Sequence, residues 1–548
     1  MKIKTSALTV AAMLLPVLPA AAQQVPAVVP VAAEAPTELE IRGLRVTGVG
    51  EHPGHGVTPD SMQAVADAWF ARIANGADTA MLDFAQLQAA ADAVTAAYRQ
   101  AGFLVSLAYL PQQSIGAERV LEIRVMEGRL GKVIVQGNQR YQELTVGGIA
   151  RDLVGHPVRK AAIETALLYA RDLPGVSVSS VLQPGENEGE TDLVLVANEN
   201  SRPWTVNLSV DNYGTPTSGR GRAQAGLAWN NPLGLGDVLA VSGNYQFSPA
   251  ASRNGALSYS LPIRTVSGLS VLAGASQSEL EINSGPLAAL DLSGPSAQQY
   301  LGADWKFANT ASLQMTASAR YIHERSRFEA LGVRLSDHRF EVAELGVSMR
   351  HFDTRWQGAN LLQLSVRRSL DDDSGQMDVV SPLRDSRFTV ARLGAMRLQS
   401  LGRNQRLLAR FNGQYTRNGL PAMEQFQLGG HDSVRGYALG EAMGDKGYLL
   451  GLEYQVDAPG FADRPSPFQG LAWREVLSFD LFADHGQVSQ LTGLKTQTRL
   501  SSAGAGLTVR LPRLHNLEVR LAGAVPVGSV DASDGRNARL YARASMSF

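Results

Sequence analysis

The sequence contains no cysteine, and that single absence removes disulfide frameworks, thiolate metal sites and cysteine nucleophiles together. Charge is scarce as well. Asp, Glu, Lys and Arg make up 18% of the chain, below the usual share of about 25%, and they cancel to a formal net charge of −1. Without a basic excess, nucleic acid is not an expected partner. Beyond residue 22 no apolar, uncharged stretch reaches the ~18 residues of a spanning helix, so any entry into a bilayer has to use strands.

Glycine is plentiful, with 54 residues in 548, beside a hydrophobic share of 44%. Polarity carried by small uncharged residues suits a chain whose faces alternate. The first 22 residues read as a cleaved secretory signal: Lys2 and Lys4, an apolar run from Ala7 to Leu18, then Pro19-Ala20-Ala21-Ala22 before Gln23. Residues 23–38, studded with Pro26, Pro30 and Pro36, read as an extended leader.

Residues 39–130 predict a compact α+β module. Leu39 to Val46 alternates as a strand, and a helix runs from Ser61 to Asn75 with Pro59 at its start and Gly76 past its end. A second helix spans Phe84 to Ala101 behind Asp83 and before Gly102, followed by strands Leu104 to Leu110 and Val120 to Met126. Residues 131–203 repeat the order with Lys132 to Gln136, Gln142 to Leu153, Arg159 to Leu173, Val176 to Leu182 and Thr191 to Ala197. Each module is expected to leave a strand edge on which an extended peptide can pair. The competing reading makes them spacers.

After Pro203 the helical period stops. Residues 204–548 read as sixteen strands of about ten residues, starting near 204, 221, 237, 256, 269, 297, 312, 338, 360, 387, 405, 446, 476, 501, 517 and 538. Short gaps such as Asn231 to Gly236 and Ala308 to Ala311 alternate with longer polar ones such as Asn283 to Ser296 and Arg417 to Asp445. Only the gap from Asp457 to Glu475 breaks the rule. An even strand count with short turns on one side and long loops on the other predicts a transmembrane β-barrel of sixteen antiparallel strands, its long gaps facing outside if the modules and the C-terminus are both periplasmic. Unpaired backbone in lipid costs several kcal/mol per group, so such a sheet has to close. A soluble β-sandwich is the rival architecture.

The longest outward gap carries Gly429-Gly-His-Asp-Ser-Val-Arg-Gly-Tyr437, and strand 13 ends in Phe482-Ala-Asp-His-Gly-Gln-Val488. Val434-Arg435-Gly436-Tyr437 resembles the tetrad at the tip of the sixth extracellular loop in the BamA-like superfamily, and Phe482-x-Asp484-x-Gly486 resembles that superfamily's signature on the inner wall of strand 13. The modules at 39–130 and 131–203 are similar to its POTRA domains. Two modules and sixteen strands match its TpsB branch, the transporters of two-partner secretion (ShlB/FhaC/HecB). Asp211-Asn-Tyr-Gly214 with Gly219, Asn231-Pro-Leu-Gly-Leu-Gly-Asp237 and Leu173-Pro-Gly-Val176 agree with it.

The resemblance implies an outer-membrane protein that recognises an unfolded TpsA-type exoprotein (hemolysin, adhesin or filamentous hemagglutinin) through its POTRA domains and threads it through the barrel, with folding at the surface supplying the drive. It further implies insertion by the barrel assembly machinery into outer-membrane lipid, with Phe548 as the C-terminal insertion signal. The chain is read as a monomer needing no cofactor, metal or nucleic acid. Many relatives carry a plug helix ahead of the first POTRA domain; the short proline-studded leader has little room for one, which leaves the sixth loop to limit leakage. A loop folded into the lumen needs an anchor, so Arg435 is expected to pair with Asp484, Gly436 to allow close approach and Tyr437 to pack on the wall. Otherwise Arg435 is a solvated loop charge.

His52 and His55 hint at a metal pair but lack a third ligand, and Asp371-Asp-Asp373 with Gly375 and Asp378 hints at calcium without a terminal Glu; both read better as loops. No nucleophile elbow, P-loop or zinc-helix motif is present, so an enzyme has no residues to stand on. The alternatives to secretion are an assembly factor that inserts other barrels and a passive porin or receptor.

Overall fold

The computed structural model describes residues 38–548 except 249–251, 265, 283, 285–287, 373–376, 379–383 and 469. The signal and leader readings, and Asp373 and Gly375 of the acidic run, lie outside the described residues.

The first module contains β1 (Leu39–Ile41), β2 (Gly43–Thr47), α1 (Pro59–Ala74), β3 (Ala80–Leu82), α2 (Phe84–Gln100), β4 (Leu107–Tyr109) and β5 (Val120–Met126). Both helices start with capping boxes, Thr58 with Ser61 and Asp83 with Gln86, which satisfy amide donors that a helix start leaves unpaired. Alternate residues of β5 and one face of each helix meet in a core of Leu44, Met62, Trp69, Leu87, Tyr98 and Ile123. The Leu39 to Val46 strand breaks at Arg42: β1 pairs with β3, which sequence periodicity missed, while β2 pairs in parallel with β5.

The second module repeats the build with β6 (Arg129–Gln136), α3 (Glu143–Arg151), α4 (Lys160–Arg171), β7 (Val176–Pro184) and β8 (Glu190–Glu199), in sheet order β6-β8-β7. Backbone hydrogen bonds from Leu104 to Val158 and from Lys160 to Gly102 join the modules. His52 sits 3.1 Å from the Glu127 carboxylate and His55 faces Arg159, so each histidine has a structural neighbour.

Sixteen antiparallel strands among the described residues then close a barrel. They are β9 (Trp204–Asp211), β10 (Gly221–Asn230), β11 (Val238–Phe247), β12 (Arg253–Pro262), β13 (Leu269–Ile282), β14 (Leu292–Asn309), β15 (Leu313–Ala330), β16 (Val333–Asp353) and β17 (Gly358–Ser369). After the two-residue β18 (Met377–Asp378), beside β16, come β19 (Thr389–Gly402) and β20 (Gln405–Thr416). The short pair β21 (Phe426–Leu428) and β22 (Ala442–Gly444) lies within the next loop, and β23 (Lys446–Asp457), β24 (Leu477–Ser489), β25 (Gln497–Leu511), β26 (Leu517–Pro526) and β27 (Arg539–Ser547) complete the wall. β27 pairs with β9, and Phe548 exchanges backbone hydrogen bonds with Val206, extending that closure by one residue pair.

Strand length departs from the sequence reading. β15 has 18 residues and β16 has 21, joined through Leu331 and Gly332, where a long polar loop was expected between segments near 312 and 338. Polar residues read as loop remain paired above the membrane, because backbone donors are as well satisfied by a cross-strand partner as by water. Outward positions such as Leu301, Leu345, Leu481 and Leu540 are exposed and apolar, as lipid requires. Exposed Trp204, Trp229, Trp305 and Phe352 lie toward the short-turn end, and Tyr245, Phe247, Tyr321 and Tyr415 toward the other, as two aromatic girdles.

The barrel stands on the second module. Gly234, in the Asn231 to Asp237 turn, accepts from the Gln142 amide at 3.1 Å and from the Thr145 hydroxyl at 3.1 Å. Tyr169 donates to the Lys306 carbonyl at 2.8 Å, and Asp172 accepts from Lys306 at 2.5 Å and Asn309 at 3.0 Å. Asp172→Ala removes the partner of Lys306, which is only partly exposed, and we expect a loss of about 1 kcal/mol at this joint, read as earlier melting of the second module ahead of the barrel.

Candidate functional site

Strands β23 and β24 project Glu453 and Asp484 from alternate positions on their inner faces, where a carboxylate avoids lipid. Between them lies Arg435, delivered by the loop over residues 417–445. Its Nε donates to Asp484 Oδ2 at 2.7 Å, Nη2 to Asp484 Oδ1 at 2.9 Å and Nη1 to Glu453 Oε2 at 2.8 Å. The Arg435 amide adds a bond to Asp484 at 3.2 Å. The guanidinium carbon lies 3.4 Å from the centre of the Phe482 ring, a cation–π contact. Arg435 and Asp484 are each 3% exposed, so the fork is hidden from salt and water.

The rest of the tetrad follows. Gly436 has φ +101, and a Cβ there would stand 3.0 Å from the Val525 carbonyl carbon. Its amide donates to the Tyr541 hydroxyl at 3.2 Å and its carbonyl accepts from Arg539 at 3.1 Å. Tyr437 is buried among Leu428, Val434, Leu449, Val488 and Leu500, and donates to the Val530 carbonyl at 2.9 Å. Gly486, two residues beyond Asp484, leaves room for Leu428, whose Cδ2 would meet an added Cβ at 2.6 Å. Phe482, Asp484 and Gly486 thus share one face and receive one loop. Gly436→Ala meets both a left-handed backbone and the β26 backbone, and we expect it to shift the tip and loosen the fork by about 1–3 kcal/mol, measured as raised channel conductance.

Periodicity of single strands did not point to the rest of the site. Glu453 is a second carboxylate on the same arginine, and Arg410 approaches Asp484 at 3.3 Å. Arg520 approaches Asp480 at 2.9 Å and Glu453 at 3.6 Å, so three arginines and three carboxylates interlock. The available signal was a lone Glu at the inward phase of β23, where lipid forbids the opposite orientation.

The base of the loop holds a second cluster. Glu424, 2% exposed, accepts from Arg367 of β17 at 2.8 Å and Arg392 of β19 at 2.6 Å. Arg367 also bonds Glu324 of β15 and faces Glu344 of β16 at 3.3 Å. Asp445 pins the loop root by accepting from the Leu420 amide at 2.8 Å and the Leu491 amide at 2.6 Å. One loop is therefore fixed to β17 and β19 through its base, with Arg367 linking it on to β15 and β16, and to β23, β24 and β27 through its tip. Contacts with both sets of inner faces require it to cross the lumen.

At residues 189–510 the chain matches the family model described as haemolysin secretion/activation protein ShlB/FhaC/HecB, and at 52–128 the ShlB-type POTRA domain. It is 25% identical over 453 residues to the heme/hemopexin transporter protein HuxB of Haemophilus influenzae, covering 79% of this chain and 76% of that one. It is 27% identical over 368 residues to the hemolysin transporter protein ShlB of Serratia marcescens, covering 65% and 64%. Among solved structures, CdiB from Escherichia coli superposes with a TM-score of 0.69 at 21% identity, covering 95% of this chain and 93% of that one, a likeness of fold. With that barrel, those modules and a family match over more than half its length, the chain belongs to the ShlB/FhaC/HecB haemolysin secretion/activation family, the two-partner secretion transporters of the outer membrane.

Proposed function

We propose that the loop over residues 417–445 is the gate of this transporter's secretion pore, and that Arg435 with Asp484 and Glu453 is its lock. The buried fork carries the reading: a loop that merely capped the barrel would have no need of a desolvated arginine held by two carboxylates on the inner wall. The cargo is an exoprotein of the TpsA type that reaches the periplasm unfolded and passes outward as the loop yields. The outer edge of β7 offers a place where an extended segment of that exoprotein can pair. Family membership favours secretion over barrel insertion. Co-expression with a candidate exoprotein tests the proposal: we expect exoprotein in the medium only when the chain is present. Equal release without it overturns the reading.

A further inference from the structure

Charge is distributed unevenly around the inner wall of the barrel. β15, β16, β17, β19 and β20 place Glu324, Glu344, Arg367, Arg392 and Arg410 at inward positions, and the tip lock stands on β23 and β24. β11, β12 and β13 place no charge there. Val241 and Leu257 are cross-strand partners, both exposed and apolar, which fixes the opposite phase as the inner one. That inner phase holds Ser242, Asn244, Asn254, Ser258, Ser276 and Ser278, in register across the three strands and spaced by Ala240, Ala256 and Gly274. The charges these strands do carry, Arg253, Glu279 and Glu281, all fall on the outward phase.

Open space follows the same wall. A cavity of about 580 Å³ lies against Ser209, Gln224, Ser242, Asn244 and Asn254, and no residue of the 417–445 loop lines it. Its charged lining is confined to Arg222, which bonds Asp211 at 2.7 Å, and Arg543, the cross-strand partner of Asp211. Ser242 and Asn254 also line a second cavity of about 440 Å³, which continues to Ser276 and Ser278 and meets Met423 and Glu424 at the base of the loop. Lifting that base therefore widens the space against the uncharged wall. A third cavity, about 660 Å³, lies on the charged side among Asp304, Arg320, Glu344 and Arg392, bounded by Gln425 to Gln427 of the loop.

Given an unfolded exoprotein crossing the lumen, as proposed above, we infer that the inner wall of β11, β12 and β13 is the surface along which the extended polypeptide slides. Serine hydroxyls and asparagine amides both donate and accept, so they satisfy the donors and acceptors of a passing backbone alike. A moving ligand has to be held weakly at many places, whereas a fixed charge traps residues of opposite sign and repels those of its own. On the other wall the inward charges are engaged with one another and with the loop, which suits a docking surface for the gate and not a path for cargo.

Because the chain lacks cysteine, single thiols report position. Ser242→Cys and Ser276→Cys stand on the uncharged wall, Ser348→Cys and Asn412→Cys in the lining of the third cavity. The candidate exoprotein of the co-expression experiment carries one cysteine in mid-chain, and disulfide adducts formed during secretion are divided by the rate of each barrel thiol with a small maleimide. We expect the first pair to exceed the second by about fivefold or more, as a chain held near one wall has its higher effective concentration there. Ser242→Lys/Ser276→Lys should lower release roughly tenfold while Ser348→Lys leaves it unchanged, insertion being checked by heat-modifiable gel mobility. Chain-dependent release with adducts spread evenly or concentrated at Ser348→Cys and Asn412→Cys overturns the sliding surface and leaves secretion standing, as does undiminished release by the inserted double variant. Release that does not need the chain overturns both.

Discussion

Arg435→Ala is expected to unlock the loop tip and raise the frequency of open-channel events at least tenfold. The substitution leaves Asp484 and Glu453 buried and facing a cavity, with only Arg410 and Arg520 at their outer sides. Breaking a buried ion pair by removing one partner costs about 3–5 kcal/mol, because the survivor's desolvation is no longer offset. A docked loop destabilised by that amount is released about a hundred to a few thousand times more often, since ~1.4 kcal/mol is a factor of ten. Asp484→Ala should come close, as it removes three of the Arg435 bonds, whereas Glu453→Ala removes one and should cost less. Exoprotein in the medium and single-channel conductance in planar bilayers are the readouts: conductance rises in the order Glu453→Ala, Asp484→Ala, Arg435→Ala. Wild-type secretion and conductance in correctly inserted Arg435→Ala protein would remove the lock from the mechanism.

Most of this architecture is legible because two solvents discipline the sequence. A strand between lipid and water has to alternate, so starts at 204, 221, 269, 405, 446 and 517 coincide with the first residues of β9, β10, β13, β20, β23 and β26. Above the membrane both faces meet water, alternation loses its meaning, and the upper halves of β15 and β16 read as loop. β1 and β3, at three residues each, are too short for any period to show. At the site, Arg435 and Asp484 stand in motifs, and the structure brings them together. Glu453 and the Arg367 to Glu424 cluster are single charges on separate strands whose meeting depends on barrel closure and on the path of one loop. Such long-range coincidences leave no local pattern, but any charge at an inward phase is a candidate for them.

Glu424 supplies the pH dependence. Burial, and next the neighbouring Glu324 carboxylate, push its carboxyl up from 4.5 to about 7 against the pull of Arg367 and Arg392. Three glutamates, 324, 344 and 424, share Arg367, and only Glu424 has the second cation Arg392. Glu324 Oε2, in the same cluster, is buried without a hydrogen-bond partner. A carboxyl raised in the docked loop stabilises docking fully below the undocked value near 4.5, and this contribution is lost as pH rises through about 7. The swing is about 3 kcal/mol, ~100-fold in the population with its base lifted. Because the chain lacks cysteine, Met423→Cys places one thiol beside Glu424, inside the lumen cluster of Phe340, Phe388 and Leu420. Its maleimide labelling, normalised to the same thiol in a Glu424→Gln background to cancel thiol ionisation, is expected to accelerate from pH 5 to pH 8. Arg367→Ala should label fast at pH 8 even with Arg435 in place, since Glu424 then keeps Arg392 alone beside two glutamates that have lost Arg367, and slow on acidification as Glu424 takes up a proton. A pH-independent ratio would mean that the base is held by packing and that the tip lock alone controls the pore.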